Sequence, residues 1–168
     1  MDHDNYPDTY ILEILGKVRT IAMVGASPNW KRPSNFAMKY LQEKGYRVIP
    51  VNPRVAETGG EILGEKVSPS LREVPGTIDM VDIFRNSEAA GSITDEAIAV
   101  AAEKGLQVIW MQLGVCNEAA ARRAEEAGLS VVMNRCPKIE WARLHSELSW
   151  GGFNSGVLTS RRRRLQSA

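Results

Sequence analysis

The chain has 168 residues but only two cysteines, Cys116 and Cys136, and two histidines, His3 and His145. Cysteines so few and so far apart make neither a disulfide framework nor a Cys-x-x-Cys site. With two histidines at these spacings, neither a metal cluster nor a Ser-His-Asp set can be assembled. No apolar run approaches the roughly 18 residues that span a bilayer, since even Leu106 to Val115 is interrupted by Gln107, Gln112 and Gly114. Neither charge sign dominates: 21 Lys and Arg against 20 Asp and Glu leave a net charge of +1. General attraction to nucleic acid or to an anionic membrane is thereby excluded, and any anion binding must be local. With no secretory n-region and h-region ahead of the cysteines, a soluble, cytoplasmic protein is expected.

The composition, 43% hydrophobic and 24% charged, is that of a globular domain. The length suits one domain with its own core, with no room for a catalytic domain beside it. Ile11, Leu12, Ile14 and Leu15 fall at helical spacing, with Asp8 ahead of them as a cap. Apolar strands are predicted at 20–24, 47–51, 78–84, 108–111 and 130–133, and helices at 34–44, 87–104, 118–127 and 139–145, several of them stopping at a glycine. Residues 54–76, rich in Gly, Pro and Ser, read as loops with at most one helical turn. Strands that are apolar at nearly every position belong to a parallel sheet covered on both faces. With right-handed crossovers the expectation is an α/β, Rossmann-like, doubly wound five-stranded sheet. One domain over residues 1–160 would end in a basic, flexible tail, 161–168, where Arg161 to Arg164 read as a solvated charge run.

In such a fold ligands sit outside the carboxyl ends of the strands, so the residues after each strand are the candidates. The first strand is followed by Gly25-Ala26-Ser27, then Lys31, Arg32, Pro33 and Ser34. That is a glycine open to close approach and two cations beside a helix N-terminus, whose free N–H groups and dipole favour phosphate. A full GxGxxG is absent, so the glycine turn alone suits NAD almost as well as coenzyme A. After the second strand, Val51-Asn52-Pro53-Arg54 lacks the acid that would hold the ribose 2′-OH of NAD. Arg54 could instead meet a ribose phosphate, either the 3′-phosphate of coenzyme A or the 2′-phosphate of NADP. The third strand ends at Phe84-Arg85, an aromatic ring and a cation suited to adenine and phosphate. Gln112, Gly114 and Asn134 stand after the fourth and fifth.

The ordered set of GAS with Lys31-Arg32-Pro33-Ser34, PVNP (50–53), VDIFR (81–85), WMQLGV (110–115) and NRCPKIE (134–140) resembles the stand-alone CoA-binding domain family, over roughly Pro7 to Arg162. That family is related to the nucleotide-binding domain of the succinyl-CoA synthetase alpha subunit. The resemblance implies coenzyme A seated over the first turn, with its phosphates near Ser27, Lys31 and Arg32 and its adenosine near Val51 to Pro53 and Phe84-Arg85. Asn134 departs from the Asp often found there in similar members.

A complete synthetase is not expected, because in that family the phosphorylated histidine lies in a separate domain. Here His3 is near a terminus and His145, on the last helix, suits a capping or surface role. Cys136 at a strand end is a candidate thiol, although free cysteines are usually buried and inert. Asp79 is placed in the loop leading into the third strand. No catalytic residue is assigned. The reading is non-catalytic binding of coenzyme A or acyl-CoA, as a sensor, carrier or accessory subunit of acyl-CoA metabolism. An NADP-linked oxidoreductase is the alternative. Apolar helix faces are compatible with a homodimer or with an acyl-CoA enzyme as partner.

Overall fold

Alternating apolar strands and capped helices fold into three layers. A computed structural model describes residues 1–145; the Trp150 to Gly156 segment, the Arg161 to Arg164 run and the domain limit at residue 160 lie outside them. The helices are α1 (Asp8–Lys17), α2 (Pro33–Glu43), α3 (Pro53–Ala56), α4 (Ser87–Lys104), α5 (Glu118–Glu126) and α6 (Pro137–Leu144). The main strands are β1 (Thr20–Val24), β2 (Arg47–Val51), β5 (Met80–Ile83), β6 (Val108–Met111) and β7 (Ser130–Val132), with short β3 (Glu61–Ile62) and β4 (Glu65–Lys66) between them. The sheet is parallel throughout, in the order β2-β1-β5-β6-β7. This is the expected Rossmann-like doubly wound fold. Among the described residues no helix is long and apolar enough to cross a membrane.

Each strand feeds two cores because side chains alternate across the pleat. Ala22, Ile49, Val81, Ile109 and Val131 pack toward α4 and α5, whose buried Ala90, Ala97, Ala120 and Ala124 permit close approach. Ile21, Val48, Met80, Trp110 and Val132 pack on the other face with Ile11, Ile14, Ala37, Met38 and Leu41 of α1 and α2.

Three expectations are corrected. Pro7, not Asp8, precedes the first helical residue, and no side chain caps α1; Asp8 is inside the first turn, where it pairs with Arg143 at 2.7 Å. The predicted strand 78–84 is trimmed to Met80–Ile83. The stretch 54–76, expected as loops with at most one helical turn, holds that turn in α3 but also a β3–β4 antiparallel hairpin. Its two-residue strands are too short to produce a periodic signal.

Both sheet edges are covered. Along β7 the hydroxyl of Tyr10 donates to the Val131 carbonyl at 3.3 Å, and just beyond it the Met133 N–H donates to the Tyr6 hydroxyl at 2.8 Å. Along β2, Ser68 donates to the Pro50 carbonyl and accepts from the Asn52 N–H. Two stacked tyrosines therefore do for one edge what a sixth strand would. Burial raises the Tyr6 hydroxyl pKa well above the ordinary range, so the group stays neutral. Tyr6→Phe leaves the Met133 N–H unpaired and should destabilise the domain by about 1–3 kcal/mol in urea unfolding, more than Tyr10→Phe, whose bond is longer and less buried.

Candidate binding site at the carboxyl edge of the sheet

The chain winds from β1 outward to β2, then crosses back to lay β5 on the other side of β1. The reversal puts the switch point, where folds of this kind hold ligands, between the ends of β1 and β5. Register brings three ends level: Val24 pairs with Val51 on one side and with Ile83 on the other. The residues that follow, Gly25, Asn52 and Phe84, therefore meet.

Gly25 has φ +86, and a Cβ there would lie 2.5 Å from the Phe84 carbonyl oxygen and 2.9 Å from Arg85 Cδ. Its N–H donates to the Val51 carbonyl at 2.9 Å. The turn beyond is held by side-chain amides: Asn52 Nδ2 donates to the Ala26 carbonyl at 2.8 Å and Asn35 Nδ2 to the Ser27 carbonyl at 3.0 Å. Buried Ser34 accepts the Ser27 N–H on Oγ at 3.1 Å. Ser27 Oγ accepts from Asn29 N–H, and Asn29 Oδ1 from Lys31 N–H. Several amides of the loop ahead of α2 are thus already bonded within the protein.

The candidate cations are available. Lys31, Arg32, Arg54 and Arg85 are all exposed, and among the described residues none of them pairs with a carboxylate. Pro33 and Pro53 occupy the first turns of α2 and α3, with Arg32 and Asn52 as the preceding caps, and Asn52 Oδ1 accepts from Arg54 N–H. Val51 is buried, so it offers backbone only; Phe84 is half-buried beside the turn.

The remaining candidates form a second group, at the ends of β6 and β7, where the side chains are engaged within the protein. Gln112 is buried and donates through Nε2 to both carboxylate oxygens of Asp82, at 3.0 and 3.2 Å. Asn134 is buried at φ +53 and accepts the Gly114 N–H on Oδ1 at 2.8 Å. Polar residues at a strand end read alike whether they face a crevice or a neighbouring loop. Asn35 was missed by sequence reading, although an asparagine at a buried helical position beside Ser34 was a usable signal.

Asp82 is fully buried on the middle strand, and desolvation pushes its pKa up to about 7, against which the Gln112 bond acts only partly. Cys136 caps the start of α6, and burial raises its thiol pKa too, which opposes thiolate reactivity. His145 closes α6, stacked on Trp141 with ring centroids 3.9 Å apart, and His3 bonds to the Tyr6 hydroxyl. Asp79 accepts the N–H groups of Arg19 and Thr20, locking the start of β1 to the segment before β5.

Comparison with known proteins gives a consistent picture. Residues 19–142 match the CoA binding domain family. The chain is 39% identical over 132 residues to the uncharacterized protein YneT of Bacillus subtilis, covering 79% of this chain and 92% of that one. A hypothetical protein from Pyrococcus horikoshii superposes with a TM-score of 0.76 at 42% identity, over 84% of this chain and 94% of its own. An acetyl-coenzyme A synthetase of Ca. Korarchaeum cryptofilum, solved with phosphate and ADP, matches at 25% identity and a TM-score of 0.61, over 74% of this chain and 27% of the larger one.

Two outcomes follow from this geometry. Gly25→Ala combines a left-handed backbone with a carbonyl clash, and should cost more than about 2 kcal/mol in denaturant unfolding. For Asp82 the native pKa of about 7 lies above the ordinary 3.8, so between these pH values the native state keeps a proton that the unfolded chain has released. Its contribution to stability falls as pH rises across that window, by roughly 1.4 kcal/mol per unit at most. Asp82→Asn should therefore gain stability relative to the parent from pH 4 to 7, and parallel pH profiles would contradict the assignment.

Proposed function

Because the chain belongs to the CoA binding domain family, we propose that it binds coenzyme A or an acyl-CoA at the β1–α2 turn and does not turn it over. It would serve acyl-CoA metabolism in the cytoplasm as a sensor, carrier or accessory subunit. The observation that supports this reading is that four exposed cations, Lys31, Arg32, Arg54 and Arg85, without carboxylate partners among the described residues, follow the three strand ends that meet at the left-handed Gly25.

Coenzyme A presents a diphosphate, a ribose 3′-phosphate, an adenine and a pantetheine arm. Lys31 and Arg32 suit the diphosphate, with α2's dipole adding to them. Arg54 and Arg85 suit the 3′-phosphate, and the half-buried ring of Phe84 suits adenine. A binding role fits the state of the nucleophile candidates: Cys136 is buried with a raised thiol pKa, and both histidines are held by aromatic neighbours.

Thermal-shift titration separates the ligands, since whatever binds only the native state raises Tm by mass action. Coenzyme A and acetyl-CoA should stabilise, and NAD and NADP should not; stabilisation by NADP alone would establish the oxidoreductase alternative instead. Replacing Lys31 and Arg32 together by alanine should weaken coenzyme A binding about ten- to a hundredfold without lowering the Tm of the free protein. The effect should shrink as salt is raised, because exposed charges are screened.

A further inference from the structure

Among the large apolar side chains that remain exposed in the described residues, Trp30 is the most exposed, at 67%. It stands in the turn between β1 and α2, five positions after Gly25. Exposure of a single apolar side chain is ordinary, but slack in the backbone does not account for this one. On one side Asn29 N–H is bonded to Ser27 Oγ; on the other, Lys31 N–H is bonded to Asn29 Oδ1 at 2.9 Å and Arg32 N–H to the Asn29 carbonyl at 2.9 Å. An indole is thus held in water by a fastened turn. Its neighbour is equally specific: Lys31 Nζ lies 5.5 Å from the centre of the ring, so the aromatic face and one of the exposed cations form a unit.

We propose that Trp30 is a specificity-determining contact for the pantetheine arm of coenzyme A, covering the chain that leaves the diphosphate held by Lys31 and Arg32. This rests on the coenzyme A reading above and names the part of the ligand that the reading left without a partner. Arg54, Phe84 and Arg85 serve the adenosine end, beyond β2 and β5. Lys31 serves the diphosphate. The segment of the ligand next to the diphosphate, other than adenosine, is the pantoyl group, whose gem-dimethyl carbon is apolar and matches an indole face. Tryptophan supplies a large rigid contact at little cost in side-chain freedom. The pair therefore reads two features in sequence, a charge and then an apolar chain. A plain nucleotide such as NAD or ADP has the first and not the second.

The test compares coenzyme A with adenosine 3′-phosphate 5′-diphosphate, which keeps the diphosphate and lacks only the pantetheine arm, by calorimetric titration of the parent protein and of Trp30→Ala. Coenzyme A should bind the variant about ten- to a hundredfold more weakly, while adenosine 3′-phosphate 5′-diphosphate binds both proteins alike. Indole fluorescence should change when coenzyme A is added to the parent protein, and this change should be lost in Trp30→Phe. The other three tryptophans provide the background. Unfolding in urea should be unaltered, because the ring packs against no core. Equal affinity of parent and variant for coenzyme A would overturn the inference and leave the coenzyme A reading standing. An equal loss for both ligands would overturn it too, by moving the ring to the adenine. If the parent protein binds no coenzyme A, the underlying reading falls, and the inference with it.

Discussion

The close approach of the β1 and β5 turns is the constraint on which the binding edge depends. Val24 is paired on both sides, so the chain must leave the sheet at a point hemmed in by two other strand ends. It does so with the Gly25 N–H bonded to Val51 and the Phe84 N–H bonded to Val24. The space above Gly25 is then filled by the Phe84 carbonyl and the Arg85 side chain. A side chain at residue 25 would push those turns apart. The same three strand ends carry the exposed cations, so one backbone contact sets both the local fold and the spacing of positive charge.

Farther along the sheet, polar side chains take over the role that glycine plays at β1. Asn134, one of two non-glycine residues with positive φ in the described chain, turns the chain out of β7 and uses its amide oxygen to hold Gly114. Asparagine tolerates that conformation better than most residues. Gln112 reaches sideways to Asp82, and the Trp110 indole donates to the Arg135 carbonyl at 2.9 Å. These bonds tie the ends of β5, β6 and β7 together as firmly as Gly25 ties β1, β2 and β5. The buried carboxyl of Asp82 opposes stability near neutral pH, while the polar pairing around it orders the loops.

The parallel sheet was legible because its strands are covered on both faces and are apolar at nearly every position. Helix limits were legible where a chemical stop exists, as at Gly105 after α4; the start of α6 was not, since the helix begins at Pro137, two residues before the expected Ile139. The β3–β4 hairpin was not. Its tip, Leu63-Gly64, places a leucine at φ +50, a conformation that no propensity argument assigns to leucine, and its strands are mostly polar and exposed. The candidate site was legible at the level of loops, since topology alone directs attention to the carboxyl ends of the strands. Side-chain direction was hidden. Ser34 and Asn35 turn inward to brace the first turn and Gln112 and Asn134 brace the last ones, while Lys31, Arg32, Arg54 and Arg85 remain exposed.

A chain with almost no net charge can still expose a local set of cations. Elsewhere on the described surface some cations stand beside acids, Arg123 with Asp95, Arg143 with Asp8 and Glu140, Arg72 with Glu103, while Lys39, Arg47, Lys66 and Arg122 are exposed without one. What marks Lys31, Arg32, Arg54 and Arg85 is their place after three strand ends that meet at Gly25. Both outer strands are capped. With β7 covered by Tyr6 and Tyr10, and β2 by Ser68, a second copy cannot add to the sheet without displacing part of this one. Among the described residues, helices and loops form the rest of the surface, and the cations after the three strand ends stand exposed on it.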